Sequence, residues 1–143
     1  MLRQPLSKST CLCIAALLLS AGCNSKFASV QGRVAYDGKP VETGTISFDP
    51  ADGQSSSAGC MIEAGTYRID RIIPGKKIVR ISAQRKTGRK VPLSTIMPAR
   101  MCPPGAMTDE IIRYIPTCYD SQSELTAEVS SGSNSFEFDL KPR

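Results

Sequence analysis

Apolar residues follow two different patterns along this chain. Near the N-terminus they form an unbroken run from Cys11 to Leu19, behind a basic flank of Arg3 and Lys8. From residue 28 onward they alternate with polar residues, the period-two signature of half-buried strands. Val30, Gly32, Val34 and Tyr36 share one face, and Asp37-Gly38 supplies a turn before Lys39-Pro40-Val41. Thr45 to Phe48 alternates next and stops at Asp49-Pro50. A Gly/Ser-rich loop (Ala51 to Ser56) then leads to Ala58 to Ile62. Glu63-Ala64-Gly65 turns the chain into Thr66 to Ile69, and Pro74-Gly75 precedes Ile78 to Ala83. Leu125, Ala127 and Val129 alternate again, Ser130 to Ser133 turn, and Phe136, Phe138 and Leu140 close the series. No stretch after residue 22 has helical periodicity. Seven short strands separated by turn residues predict an all-β domain of two packed antiparallel sheets, a β-sandwich.

Residues 84–114 break the pattern and are expected to form a long loop. They carry Pro92, Pro98, Pro103 and Pro104, which discourage strand pairing, and the flexible apolar residues Met97, Met101 and Met107. Thr108-Asp109-Glu110 before Ile111-Ile112 suits a single helical turn or, equally, a short strand.

The N-terminal run has a different meaning. Nine apolar residues are too few to span a bilayer core, which needs roughly 20 in a helix. A basic flank, a short apolar core and the small residues Ser20-Ala21-Gly22 before Cys23 make a lipoprotein-type secretory signal. Residues 1–22 are then a signal peptide, Cys23 the lipidation site, 23–27 a lipidated tether and 28–143 the domain. Leu is the usual residue where Ser20 stands, so ordinary secretion is the alternative. The expected place is the cell envelope, at an outer membrane or the periplasmic side of a membrane, and Asn24 after the cysteine leans towards the outer membrane. The expected partners are the membrane, through the lipid anchor, and an acidic envelope polymer or protein; nucleic acid is not expected.

Composition narrows the chemistry. The chain has no histidine, which removes Ser-His-Asp and Cys-His catalysis and the commonest zinc ligand. Only carboxylate, lysine or tyrosine chemistry remains, and no catalytic set, metal-ligand set or cofactor motif emerges from it. The formal net charge is +5, and Arg3 and Lys8 leave with the signal. The cations cluster: Lys76, Lys77, Arg80, Arg85, Lys86, Arg89 and Lys90 form a possible binding patch for anionic headgroups, acidic polysaccharide or an acidic protein. A solvated strand face with a charged loop would give the same pattern. Outside the signal and Cys23, the cysteines are Cys60, Cys102 and Cys118. They allow one disulfide and one free thiol. Cys102–Cys118 is the tentative pair, closing a loop of about fifteen residues for roughly 3 kcal/mol, though spacing alone does not settle connectivity. Cys60, in a strand, reads as a buried inert thiol.

One family resemblance rests on an ordered set of short segments. Tyr36-Asp37-Gly38-Lys39-Pro40-Val41 is followed by Gly44 to Phe48, Gly65-Thr66-Tyr67 and Ile73-Pro74-Gly75-Lys76. The ending runs from Ile115-Pro116 through Tyr119, Ser123, Leu125-Thr126, Val129, Asn134 and Phe136 to Phe138-Asp139-Leu140. In this the chain resembles the small exported proteins and lipoproteins of planctomycete bacteria with a carboxypeptidase-regulatory-like (transthyretin-like) domain. The resemblance covers nearly all of the chain after residue 27. It implies a seven-stranded prealbumin-like, Ig-like sandwich and no reaction. Cys118 stands where that family would carry a basic residue, and Cys102 falls in a loop not usually cysteine-bearing, which supports pairing the two.

The function expected is therefore that of a non-enzymatic, membrane-anchored envelope lipoprotein, a structural or protein-binding module. The alternative is a carbohydrate- or calcium-binding sandwich. Asp49 and Asp52 near Gly53 fit no known calcium loop, and the absence of Trp disfavours a sugar platform. Lys39 and Asn134 have the right types for a self-formed isopeptide bond but sit at turns.

Overall fold

The computed structural model describes residues 26–143, so the signal peptide, Cys23 and most of the tether lie outside the described residues. Among the described residues there are nine strands and three short 3-10 turns: β1 (Ala28–Tyr36), β2 (Lys39–Pro40), β3 (Thr43–Pro50), β4 (Ala58–Glu63), β5 (Thr66–Ile72), β6 (Gly75–Pro92), β7 (Met107–Arg113), β8 (Thr126–Val129) and β9 (Ser133–Leu140). No α-helix occurs among the described residues, and the all-β expectation holds.

The strands form one curled, mainly antiparallel sheet. From β9 its order is β1, β5, β4, β3 and β6, with β8 beside the first part of β6 and β7 beside its second part. β2 extends only the far end of β1. The single parallel pair is β1 with β9, from Ser29↔Ser133 to Tyr36↔Leu140. Curling brings the apolar faces of β1, β3, β4, β5, the first part of β6, β8 and β9 onto one core. Val30 and Val34, Ile46 and Phe48, Ile62, Tyr67 and Ile69, Val79 and Ile81, Ala127 and Val129, and Leu140 are all buried there. Phe48 sits among the rings of Tyr67, Phe136 and Phe138, with centroids 6.0–6.5 Å away. The Tyr67 hydroxyl donates to the Phe136 carbonyl at 3.0 Å, so the large residue satisfies its polar tip while buried.

The turns follow their chemistry. Asp37 (φ 51°) and Gly38 (φ 74°) lie between paired Tyr36 and Lys39, the left-handed two-residue turn that Asp-Gly favours. Ala64 and Gly65 join β4 to β5 in the same way. Asn134 fixes the β8–β9 turn by donating to the carbonyls of Ser130 (2.8 Å) and Ser29 (3.1 Å) while accepting from the Ser130 amide.

One expectation fails. Residues 84–114 are not an irregular loop: β6 continues for nine residues past Ala83 and pairs antiparallel with β7 from Gln84↔Arg113 to Pro92↔Met107. This two-stranded arm was hidden because it has no inward face. None of residues 84–114 is buried, so nothing forces apolar alternation on its sequence. The tip, residues 93–106, contains 3-10 turns at Leu93–Thr95 and Ala99–Met101 and is closed by a hydrogen bond from the Leu93 N–H to the Ala106 carbonyl at 2.8 Å.

Candidate functional site

The seven cations expected to share one patch are split by the course of β6. Side chains two apart on a strand share a face, so Lys77 points inward with Val79 and Ile81 and is 1% exposed. Its Nζ donates to Ser55 Oγ at 3.0 Å. It belongs to the interior, not to a surface patch. Arg80 lies over Asp49, Nε to Oδ2 2.8 Å, as an ion pair, and Nε makes no aligned hydrogen bond. Lys76 is exposed at the start of the strand, far along β6 from the remaining four.

Arg85, Lys86, Arg89 and Lys90 lie together on the arm, where two carboxylates of β7 meet most of their charge. Asp109 bridges Lys86 (2.8 Å) and Lys90 (2.6 Å). Glu110 accepts from Arg89 Nε at 3.0 Å and from Thr87 Oγ1 at 2.6 Å. Hydrogen bonds from Lys86 and Lys90 hold the Asp109 carboxyl down at about 2, and those from Arg89 and Thr87 lower that of Glu110. The same contacts raise Lys86 and Arg89. These acids suited a helical turn or, equally, a short strand, and the strand is what forms; their register opposite the cations is what the sequence pattern did not reveal. A basic pair at 86 and 90 facing an Asp-Glu pair across a run of prolines was the available signal.

Where the arm leaves the sheet, a groove of about 910 Å³ opens between its base and the β1–β2 turn. Tyr36, Lys39 and Glu42 line one side, Arg85, Lys86 and Tyr114 the other. Tyr36 and Tyr114 meet edge to face at 5.8 Å, and the Arg85 guanidinium stands 5.4 Å over the Tyr114 ring. Burial, with help from Glu42, raises the Tyr114 hydroxyl, while Arg85 works against the rise. Both signs of charge and two aromatic faces meet here. The arrangement suits a polar ligand with flat or cationic parts.

Among the described residues no cysteines pair: Cys60, Cys102 and Cys118 are all free thiols. Cys102 lies at the arm tip, its Sγ 3.4 Å from the Pro98 carbonyl, whereas Cys118 packs against the core in the 3-10 turn Thr117–Tyr119. The whole of β7, seven residues, separates them. An extended strand of that length spans roughly 23 Å, and bridged Cα atoms lie within about 7 Å. The expected Cys102–Cys118 bridge is therefore not formed in this fold. Cys60 is half-buried, and burial pushes its thiol up, against a lowering hydrogen bond from the Arg68 backbone. Asp49 is engaged by Arg80, and Asp52 Oδ1 accepts from the Gln54 amide at 3.0 Å, so both carboxylates of the calcium alternative serve local structure. Among the described residues no three acidic or thiol groups converge as a metal site. The chain matches no family model and no curated protein.

Proposed function

We propose that this chain is a non-enzymatic envelope lipoprotein, anchored through Cys23, whose domain serves as a structural or protein-binding module. The observation that carries the reading is the Ser20-Ala21-Gly22-Cys23 sequence directly after the apolar run. On this reading residues 28–143 are a carboxypeptidase-regulatory-like, prealbumin-like sandwich. A single curled sheet with one shared core is consistent with that class. The groove beside Tyr36 and Tyr114 supplies a recessed surface for a partner, and the lack of histidine leaves that groove without a general base of the usual kind.

The test is metabolic labelling with an alkyne fatty acid in a bacterial host that processes lipoproteins. The wild type is expected to incorporate label and partition into detergent. Cys23→Ser is expected to lose the label and leave the membrane fraction. Equal labelling of both proteins would remove the anchor from the proposal.

A further inference from the structure

The arm has a composition that the rest of the domain lacks. Ile96, Met97, Met101 and Met107 are exposed around its tip, and Ile111 and Ile112 along its shaft. Among the described residues only Met61 is an exposed large apolar side chain elsewhere. The charge is equally uneven. The arm holds Arg85, Lys86, Arg89, Lys90, Arg100 and Arg113 against Asp109 and Glu110, while the rest of the described chain has ten Lys and Arg against eleven Asp and Glu. The positive excess therefore lies wholly in the arm, and it survives the pairing of Asp109 and Glu110.

From this we infer that the arm tip inserts into the headgroup layer of a bilayer containing anionic lipid. An apolar tip carried on a cationic shaft matches an interface whose outer layer is negative and whose inner layer is hydrocarbon. A polyanionic polymer would satisfy the cations and leave Ile96 and Met101, each about two-thirds exposed, in water. A second copy of the chain, paired through the same arm by a two-fold axis, would bring two like-charged arms together. The strand registers also separate the tip from the tether. β1 and β6 run in the same direction, so Ala28 and Gly75 lie at one end of the sheet and the arm leaves from the other. Tip insertion is thus a property of the domain and does not rest on lipidation of Cys23.

Among the described residues the core cluster runs from Ala28 to Leu140, so residues 26–143 are prepared as a segment whose cooperative urea unfolding is verified before use. The experiment is sedimentation of that segment with vesicles of phosphatidylcholine alone or mixed equally with phosphatidylglycerol. Binding is expected to the mixed vesicles, weaker to the neutral ones, and to decline as salt rises. The variant Ile96→Ser with Met97→Ser and Met101→Ser is expected to bind about tenfold or more weakly. Arg100→Glu with Arg113→Glu is expected to bring mixed-vesicle binding down to the neutral level. None of these residues is buried, so unchanged circular dichroism should accompany each loss. Three outcomes overturn the inference. The wild-type segment stays in the supernatant with mixed vesicles; the triple variant sediments as well as wild type; or vesicle-free self-association is found that the triple variant abolishes, which makes the tip a contact between copies.

Discussion

The two halves of β6 are one continuous strand under two physical regimes. From Gly75 to Ala83 it pairs with β8 over Gly75–Ile78 and with β3 over Lys77–Ala83, and Lys77, Val79, Ile81 and Ala83 are buried in alternation. From Gln84 to Lys90 every residue is exposed, and among the described residues β7 is the only strand paired with it. The first half is held by removal of apolar surface from water. The second is held by backbone bonds and by the Lys86–Asp109–Lys90 and Arg89–Glu110–Thr87 bridges, each open to screening. A two-stranded ribbon without a covered face is marginal in water. The arm should open locally at a free energy far below that of global unfolding.

Glycine-to-alanine pairs offer the hardest test of that division. In β1, a Cβ on Gly32 would stand 1.8 Å from the Phe136 carbonyl oxygen, on the backbone of β9. No rotamer relieves that clash, so Gly32→Ala is expected to lower global stability by about 3 kcal/mol or more, seen in the urea midpoint. Gly88 lies in the arm with φ 82° and open space around it. Gly88→Ala adds about 1–2 kcal/mol of left-handed strain, but confined to the arm it should leave the urea midpoint unchanged and speed amide exchange only across residues 84–113. Equal shifts in the two midpoints would mean that arm and sheet unfold as one unit. A smaller effect of opposite sign is expected at Ala64, whose φ of 49° is costly for any residue with a Cβ. Its turn is tied to the core by the Gly65 amide to Val41 and the Val34 amide to Gly65, both 2.8 Å. Ala64→Gly should therefore raise global stability by about 1 kcal/mol, read as a higher urea midpoint.

The same division explains what could be read in advance. Wherever burial dictates the pattern, the sequence was legible: Val30 and Val34, Val79 and Ile81, and Phe136 to Leu140 sit as alternation requires, and Asp37-Gly38 turns as its chemistry requires. β2 was too short to carry a pattern. The arm escaped because its strands are specified by cross-strand charge, and charge register between residues about twenty apart has no local trace. Lys77 misled for the complementary reason. A cation among cations reads as surface, yet its position two before Val79 gives it the inward face, and Ser55 across the Gly/Ser loop receives its amino group. Alternation outweighed residue type.

Acid should separate the regimes most gently. The Asp109 carboxyl, held at about 2 by Lys86 and Lys90 against an ordinary 3.8, stabilises the folded arm fully above about pH 4. That contribution is lost as the pH falls from about 4 towards 2, where protonation removes both bridges. Glu110 is shifted in the same direction by Arg89 and Thr87 and adds to the loss. Both sites face solvent, so the effect is small and shrinks further in high salt. In a methyl spectrum, Ile111 and Ile112 are expected to move through this window while Ile46, Ile62 and Ile81 hold still. Asp109→Asn should flatten much of the arm response at no change in the core signals. If the core methyls titrate with the arm instead, the ribbon is coupled to the sheet through the Tyr36–Tyr114 contact, the one aromatic pair that spans the groove between them.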